Sequence, residues 1–231
     1  MKQVGISHFL EACAACHHHL CPRQVLGVRI GLAGAAGLGL PVPRLDKRLL
    51  VIAESDGCFV DGVSVVTGCT VGHRTLRVED YGKIAATFVD VVTEQALRLA
   101  PRLDVRIRAW AYAPEENRRY FAQLQAYQVM PDEELLAVEE VRLTTPVSAL
   151  VGRPGVRVNC AACGEEIINQ REIDMGGTPV CRACAGEAYY SGVGARRVES
   201  GIRLNNRFAV PYDSIRYSSL SQRDGFAWMY A

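Results

Sequence analysis

Two runs of this chain have residue types and spacings suited to holding a metal. Towards the C-terminal end, Cys160-Ala-Ala-Cys163 and Cys181-Arg-Ala-Cys184 stand 17 residues apart. A CxxC turn brings two thiolates within reach of one ion, and two such turns complete a tetrahedron of sulfur around zinc. Four protein ligands close the coordination sphere, so the expected ion is a structural zinc. Near the start, Cys13-Ala-Ala-Cys16-His17-His18-His19-Leu20-Cys21 packs three thiols and three imidazoles into nine residues. Imidazole and thiolate together suit a borderline transition metal. His17, His19 and Cys21 alternate, so an extended segment would aim all three to one side. Metal ligation is the first expectation here, with two alternatives. Cys13-Ala-Ala-Cys16-His17 also spells the attachment motif of a c-type haem. Covalent haem needs export, and Met1–Leu10 has no basic head followed by an apolar run, which argues against it. The other alternative is a reversible Cys13–Cys16 redox pair. Cys13 by itself also fits simple burial on an apolar helix face.

A third patch runs Ser55-Asp56-Gly57-Cys58-Phe59-Val60-Asp61 and continues to Thr67-Gly68-Cys69-Thr70. Cys58 falls at the expected start of a helix, after a cap at Asp56, where the helix dipole lowers a thiol's pKa. Asp61 comes about one turn later and can orient a ligand or act as a base. Cys69 fits a small buried hydrophobe as well as it fits a functional thiol. His73 has no partner pattern and reads as a surface residue.

These groups need elements to position them. Helical periodicity covers Val4 to Cys16, with Ile6, Phe9, Leu10 and Cys13 on one face. Pro22 opens a second helix, where its missing N–H costs nothing. Leu49–Glu54 reads as a strand, and Asp56–Gly68 as a helix that Gly68 stops. Ile84–Thr93 and Leu103–Trp110 read as strands, the latter with Val105, Ile107 and Ala109 inward and Arg106 and Arg108 outward. Pro114–Gln128 reads as a polar helix and Leu135–Leu143 as a closing strand. The fold class expected for residues 1–150 is therefore α+β, a mixed core. Thr144–Pro154 reads as a linker. Residues 151–231 then hold a small zinc module at 158–190, of treble-clef or ribbon type with a helix at Ala185–Tyr190, and a tail.

Composition narrows the function classes. The chain has 231 residues, 49% apolar and 22% charged, as ordinary globular proteins do, which excludes a collagen-like or wholly disordered chain. A net charge of +1 excludes a globally basic nucleic-acid binder and leaves only a local patch at Arg171, Arg182, Arg196 and Arg197. The nine cysteines are odd in number and too few for a disulfide scaffold. Val25–Val42 is the most apolar stretch, but it carries Arg29 and five glycines and ends in prolines. That suits a close-packed buried helix and not a membrane span. No Walker loop, GxSxG elbow or dinucleotide fingerprint is present.

The N-terminal patches resemble the E-subunit family of formylmethanofuran dehydrogenase. The family's first signature, approximately HGHxCPGxxxGxRxG, meets His17-His18-His19-Leu20-Cys21-Pro22-Arg23, then Gly27, Arg29 and Gly31. The second, roughly CxxDxxxxxTGCTxG leading to DYGK, meets Cys58, Asp61, Thr67-Gly68-Cys69-Thr70, Gly72 and Asp80-Tyr81-Gly82-Lys83. The resemblance covers most of residues 8–145. It implies an α+β core, an intertwined homodimer, and a metal-binding cleft built from the His/Cys loop and Cys58. The implied second ion, zinc or iron, would sit at His17, His19, Cys21 and Cys58, with Asp61 as base or close by. The resemblance also implies association with a molybdenum or tungsten enzyme of one-carbon metabolism, and a zinc module like that of some members. A helix over Val25–Leu40 too apolar for a monomer surface points to a homodimer as well. His18 and Arg23 stand where the family pattern has glycine, and such positions can require positive φ or close backbone approach. The expected function is a cytoplasmic metal-binding protein, an accessory or metal-handling factor in one-carbon or redox metabolism. Alternatives are a metal-dependent enzyme with an open His/Cys site, and a zinc-module binder of nucleic acid or protein.

Overall fold

The computed structural model describes residues 5–152 and 155–191. The expected tail, with Arg196 and Arg197, and the Cys16 side chain of the haem and redox readings lie outside the described residues. The chain divides into two compact units, residues 1–158 with 166–170, and residues 159–165 with 171–231.

The first unit is α+β. Its element order begins α1 (Ile6–His17), α2 (Pro22–Gly37), β1 (Leu49–Ala53), α3 (Cys58–Thr67), β2 (Leu76–Val78), β3 (Ala86–Asp90) and β4 (Ala96–Pro101). It continues with α4 (Val105–Tyr112), α5 (Arg119–Val129), α6 (Asp132–Leu135), β5 (Leu136–Val141) and α7 (Val147–Val151). Five strands form one mixed sheet in the order β2-β1-β3-β4-β5. β1 and β2 are parallel and joined through α3, and the other neighbours are antiparallel. The register sets Val51 opposite Phe88 and Phe88 opposite Leu97, so one sheet face carries a continuous apolar row. That face joins Phe9, Val25, Phe59, Val63 and Tyr127 in the main core. The other face, with Leu50, Val89 and Ala96, packs against Val147, Leu150 and Val151. The expected linker at 144–154 thus contains α7, recruited because the second sheet face is also apolar.

Glycines let α2 sink into this core. A Cβ on Gly27 would lie 2.2 Å from the Phe59 carbonyl oxygen, and one on Gly62 would lie 2.5 Å from the Gln24 carbonyl oxygen. Gly34 faces the Phe88 ring and Gly37 the Leu97 side chain. The apolar character of α2 is therefore largely answered within its own chain. Arg29 ties α2 to the end of α5, donating to the carbonyls of Tyr127 at 2.9 Å and Met130 at 2.6 Å.

Three expectations change. Leu103–Trp110 is not a strand: it lies mostly in α4, where Val105 and Ala109 are buried four residues apart and Ile107 is 77% exposed. Apolar residues at both period two and period four fit V-R-I-R-A, and the Asp104–Arg108 pair at 2.9 Å supports the helix. The edge region expected there is supplied instead by β4, which the Ala/Leu-rich run at 96–101 did not advertise. The helix expected from Pro114 begins only at Arg119, because Glu116 accepts from the amides of Asn117 and Arg118 in a preceding turn. β2 was also not anticipated.

Strands β6 (Arg157–Asn159) and β7 (Glu166–Ile168) pair as a separate ribbon. In the second unit, β8 (Ile173–Asp174) and β9 (Pro179–Val180) make a hairpin that turns through Gly176 and Gly177. The helix expected at Ala185–Tyr190 is a single π-type turn at Ala183–Glu187, cut short by Gly186 at φ 101°. Among the described residues, no helix is long and apolar enough to cross a membrane.

Candidate metal centre

In the second unit the four cysteines converge. The sulfurs of Cys160, Cys163, Cys181 and Cys184 all lie within 4.8 Å of one another, and Cys163 Sγ is 4.0 Å from Cys181 Sγ. Four ligands at a Zn–S distance of about 2.3 Å would stand roughly 3.8 Å apart, so the donor set fits a tetrahedral ion. Local backbone builds this. Gly164, at φ 81°, lets its amide return to the Cys160 carbonyl at 2.8 Å and close the first knuckle. The Cys181 amide donates to Cys160 Sγ at 3.3 Å, and the Cys184 amide to Cys181 Sγ at 3.4 Å. Backbone amides, first that of Cys163 and then that of Cys181, lower the Cys160 thiol to about 6. The crowding has the opposite effect on Cys184, pushed up to about 12 by Cys181, Cys160 and Cys163. One thiolate forms readily and its neighbours resist, a conflict that a cation at the centre removes. The cluster can therefore bind a metal ion.

In the first unit, the ends of α1, α2 and α3 meet. His17 is the last residue of α1, and its Nε2–H donates to Asp61 Oδ2 at 2.6 Å from the first turn of α3. The expected extended segment is absent. His18 is the C-cap of α1 at φ 58°, and His19 Nδ1–H turns back to the His17 carbonyl at 2.9 Å. The left-handed backbone at His18 explains why glycine suits that position in the family pattern. Arg23 is an exposed helical residue, where no glycine is required.

Cys21 is the N-cap of α2. Its Sγ accepts from the Gln24 amide at 3.5 Å, while Gln24 Oε1 accepts from the Cys21 amide at 2.9 Å. Gln24 is fully buried and also donates to the Cys13 carbonyl at 3.0 Å, so it locks the end of α1 to the start of α2. Cys13 itself is buried in the core. Cys58 opens α3, capped by Gly57 at φ 75° and not by Asp56. Its thiol is raised, not lowered: burial comes first, then the neighbouring Cys21 and the Asp61 charge, against which the helix terminus loses. Tyr120, which the spacing arguments did not single out, donates from its hydroxyl to the Leu20 carbonyl at 3.5 Å. Burial, Cys21 and Cys58 together raise its phenol, which places it beside the thiol pair.

The structure thus joins His17 to Asp61 and Cys21 to Cys58 at one junction. Among the described residues, no three of His17, His19, Cys21, Cys58 and Asp61 bring ligand atoms within 4.8 Å of one another, as the C-terminal cysteines do. Cys69 is buried, with its Sγ 3.5 Å from the Leu49 carbonyl oxygen, and His73 is exposed.

Comparison with known proteins agrees with this layout. Residues 16–137, more than half of the chain, match the family described as "FmdE, Molybdenum formylmethanofuran dehydrogenase operon". A curated protein of Archaeoglobus fulgidus, a "Probable S-adenosyl-L-methionine-binding protein", is 28% identical over 199 residues, 77% of this chain. The match spans 52% of that relative, about half its length. The crystal structure of an FmdE-like protein of tungsten formylmethanofuran dehydrogenase, from Syntrophus aciditrophicus, superposes with a TM-score of 0.54 at 23% identity. The match covers 80% of this chain and 95% of that one, which establishes likeness of fold.

Proposed function

The chain belongs to the FmdE family, and from that premise we propose a cytoplasmic metal-binding protein that acts as an accessory or metal-handling factor in one-carbon or redox metabolism. Its partner would be a molybdenum or tungsten enzyme. The observation that carries the proposal is the meeting of Cys21, Cys58 and the His17–Asp61 pair at one junction of helix ends. Residues 1–150 are assigned to the metal-binding core and 151–231 to the zinc module with its tail.

In this reading the knot at Cys160, Cys163, Cys181 and Cys184 holds a structural zinc. A second ion, zinc or iron, takes Cys21 and Cys58, with His17 and His19 completing the set, a donor mixture suited to either metal. Asp61, bonded to one nitrogen of His17, fixes the ring as carboxylates do behind metal-bound imidazoles. When bound, such an ion supplies a Lewis acid with an exchangeable position. A homodimer is part of the proposal. Its support is the part of α2 left uncovered, where Leu32, Ala33 and Ala36 line an open groove of about 950 Å³ with Phe9 and Val129.

Elemental analysis of the purified chain tests the metal reading. Two ions per chain are expected, one of them removed first by a chelator. Cys21→Ser with Cys58→Ala should remove that ion and leave the other. A single ion per chain, unaffected by the double substitution, defeats the second site. Light scattering should give about twice 25.3 kDa, and a mass near 25.3 kDa at all concentrations defeats the dimer.

Tyr120 and Asp61 favour a second reading, an enzyme, because a hydroxyl and a carboxylate flank the thiol pair as proton-moving groups do. Azide binding to a cobalt-substituted site would reveal the open position that catalysis requires. An unchanged visible spectrum at saturating azide excludes it.

A further inference from the structure

Behind the sheet, away from the thiols, a small cavity of about 40 Å³ is lined by Lys47, Leu50, His73, Arg74, Thr75 and Val151. Three of these residues carry basic groups, one carries a hydroxyl, and none carries a carboxylate. A single water needs about 10–15 Å³ of such space, so the cavity has room for roughly three, the size of a tetrahedral oxyanion. We propose that this cavity binds a phosphate group, either the free ion or the terminal phosphate of a larger ligand.

The surroundings support that chemistry. The two acidic side chains flanking this loop already face other arginines: Asp46 is held by Arg44 and Asp90 by Arg48. They are thus not positioned as counterions of Lys47. Leu50 and Val151 give the cavity an apolar wall, which strengthens a charge-assisted hydrogen bond made against it.

The rim is fixed by its own backbone. Within the turn after α3, the Arg74 amide donates to the Val71 carbonyl at 2.9 Å, and the Thr75 amide to the Thr70 carbonyl at 3.2 Å. The Thr70 amide donates to Thr75 Oγ1 at 3.1 Å, and the His73 amide to Thr70 Oγ1 at 3.2 Å. Val51 closes the other side, its amide donating to the Thr75 carbonyl at 2.8 Å. Arg74 reaches across to the Gly152 carbonyl at 3.1 Å, which joins the turn to the end of α7. A ligand therefore meets a turn that is already formed, and little ordering opposes binding.

The location makes the site independent of the metal proposal. Cys58 begins α3, and His73 and Arg74 lie beyond its other end. A ten-residue helix is about 15 Å long, so one ligand the size of phosphate cannot touch both places.

The test uses the full chain and isothermal titration with inorganic phosphate, then with ribose 5-phosphate. Lys47 has φ 62°, so Lys47→Gly removes the cation where glycine is the conformationally easier residue. One phosphate per chain is expected, with affinity that falls as potassium chloride is added. Lys47→Gly should weaken it about tenfold, and His73→Gln should weaken it measurably. Cys58→Ala should leave it unchanged, which separates this cavity from phosphate captured by a metal at the thiols. Tighter binding of ribose 5-phosphate identifies the cavity as one end of a larger ligand's site, and equal affinity identifies the free ion; both uphold the proposal. No saturable binding at millimolar phosphate, or an isotherm that Lys47→Gly leaves intact, overturns it.

Discussion

Cys21 has two structural duties in one side chain. Its sulfur caps α2 through the Gln24 amide and lies against Cys58. Serine keeps a cap at this position and alanine does not. Cys21→Ala should therefore cost about 1 kcal/mol in urea unfolding, and Cys21→Ser less. Equal losses would mean that the cap contributes nothing. Asp90 is a second residue with a measurable signature. Two bonds from Arg48 and one from the Val92 amide hold its carboxyl well below the usual carboxylate range. Its folded pKa lies below the unfolded value of about 3.9, so its contribution is complete above that pH and is lost as pH falls further. Asp90→Asn should lower the urea midpoint at pH 7 and shrink the difference between pH 7 and pH 3. A loss of equal size at both pH values would refute the assignment. The thiols and imidazoles were legible because ligand chemistry leaves a spacing in the sequence. Tyr120 was not, since nothing local marks a residue that reaches its neighbours only through folding.

At the scale of elements, the contact of α2 with α3 depends on an absence of side chains. Alanine at an ordinary helical site is favoured over glycine by about 1 kcal/mol. At Gly27 the new Cβ would meet the Phe59 carbonyl oxygen at 2.2 Å, and backbone cannot rotate away as a side chain can. Gly27→Ala should therefore destabilise by about 1–3 kcal/mol in thermal unfolding. Gly72→Ala, where nothing lies within 4 Å, serves as the near-neutral control. The helix starting at Pro22 and the one ending at Gly68 were legible because their terminal residues have a local mechanism. α4 was misread because five residues with alternating apolar character satisfy strand and helix alike, and only the packing of Val105 and Ala109 decides. The raised Cys58 thiol was illegible for a similar reason, since its burial and its neighbour Cys21 come from other parts of the fold.

At the scale of the molecule, the two units differ in what holds them. The first has a sheet covered on both faces. The second has only two short strands and one turn around its four sulfurs. Structural zinc contributes on the order of 10 kcal/mol to such small modules. Cys181→Ser should therefore abolish metal binding at the knot and open residues 159–191 to protease. The unfolding transition of the sheet should stay near that of the parent chain. Full metal content and undiminished resistance to protease in that variant would show that the knot folds without an ion.

The buried carboxamide of Gln24 has a consequence for the order of events in the living chain. It bonds to the Cys13 carbonyl and the Cys21 amide, so the loop between α1 and α2 is pinned by the fold itself. Exchange of the Cys21 amide with deuterated solvent should then be as slow in chelator-treated protein as in loaded protein. Loading would become a late step, performed on a finished scaffold, and unloading would leave that scaffold standing, ready to be filled again.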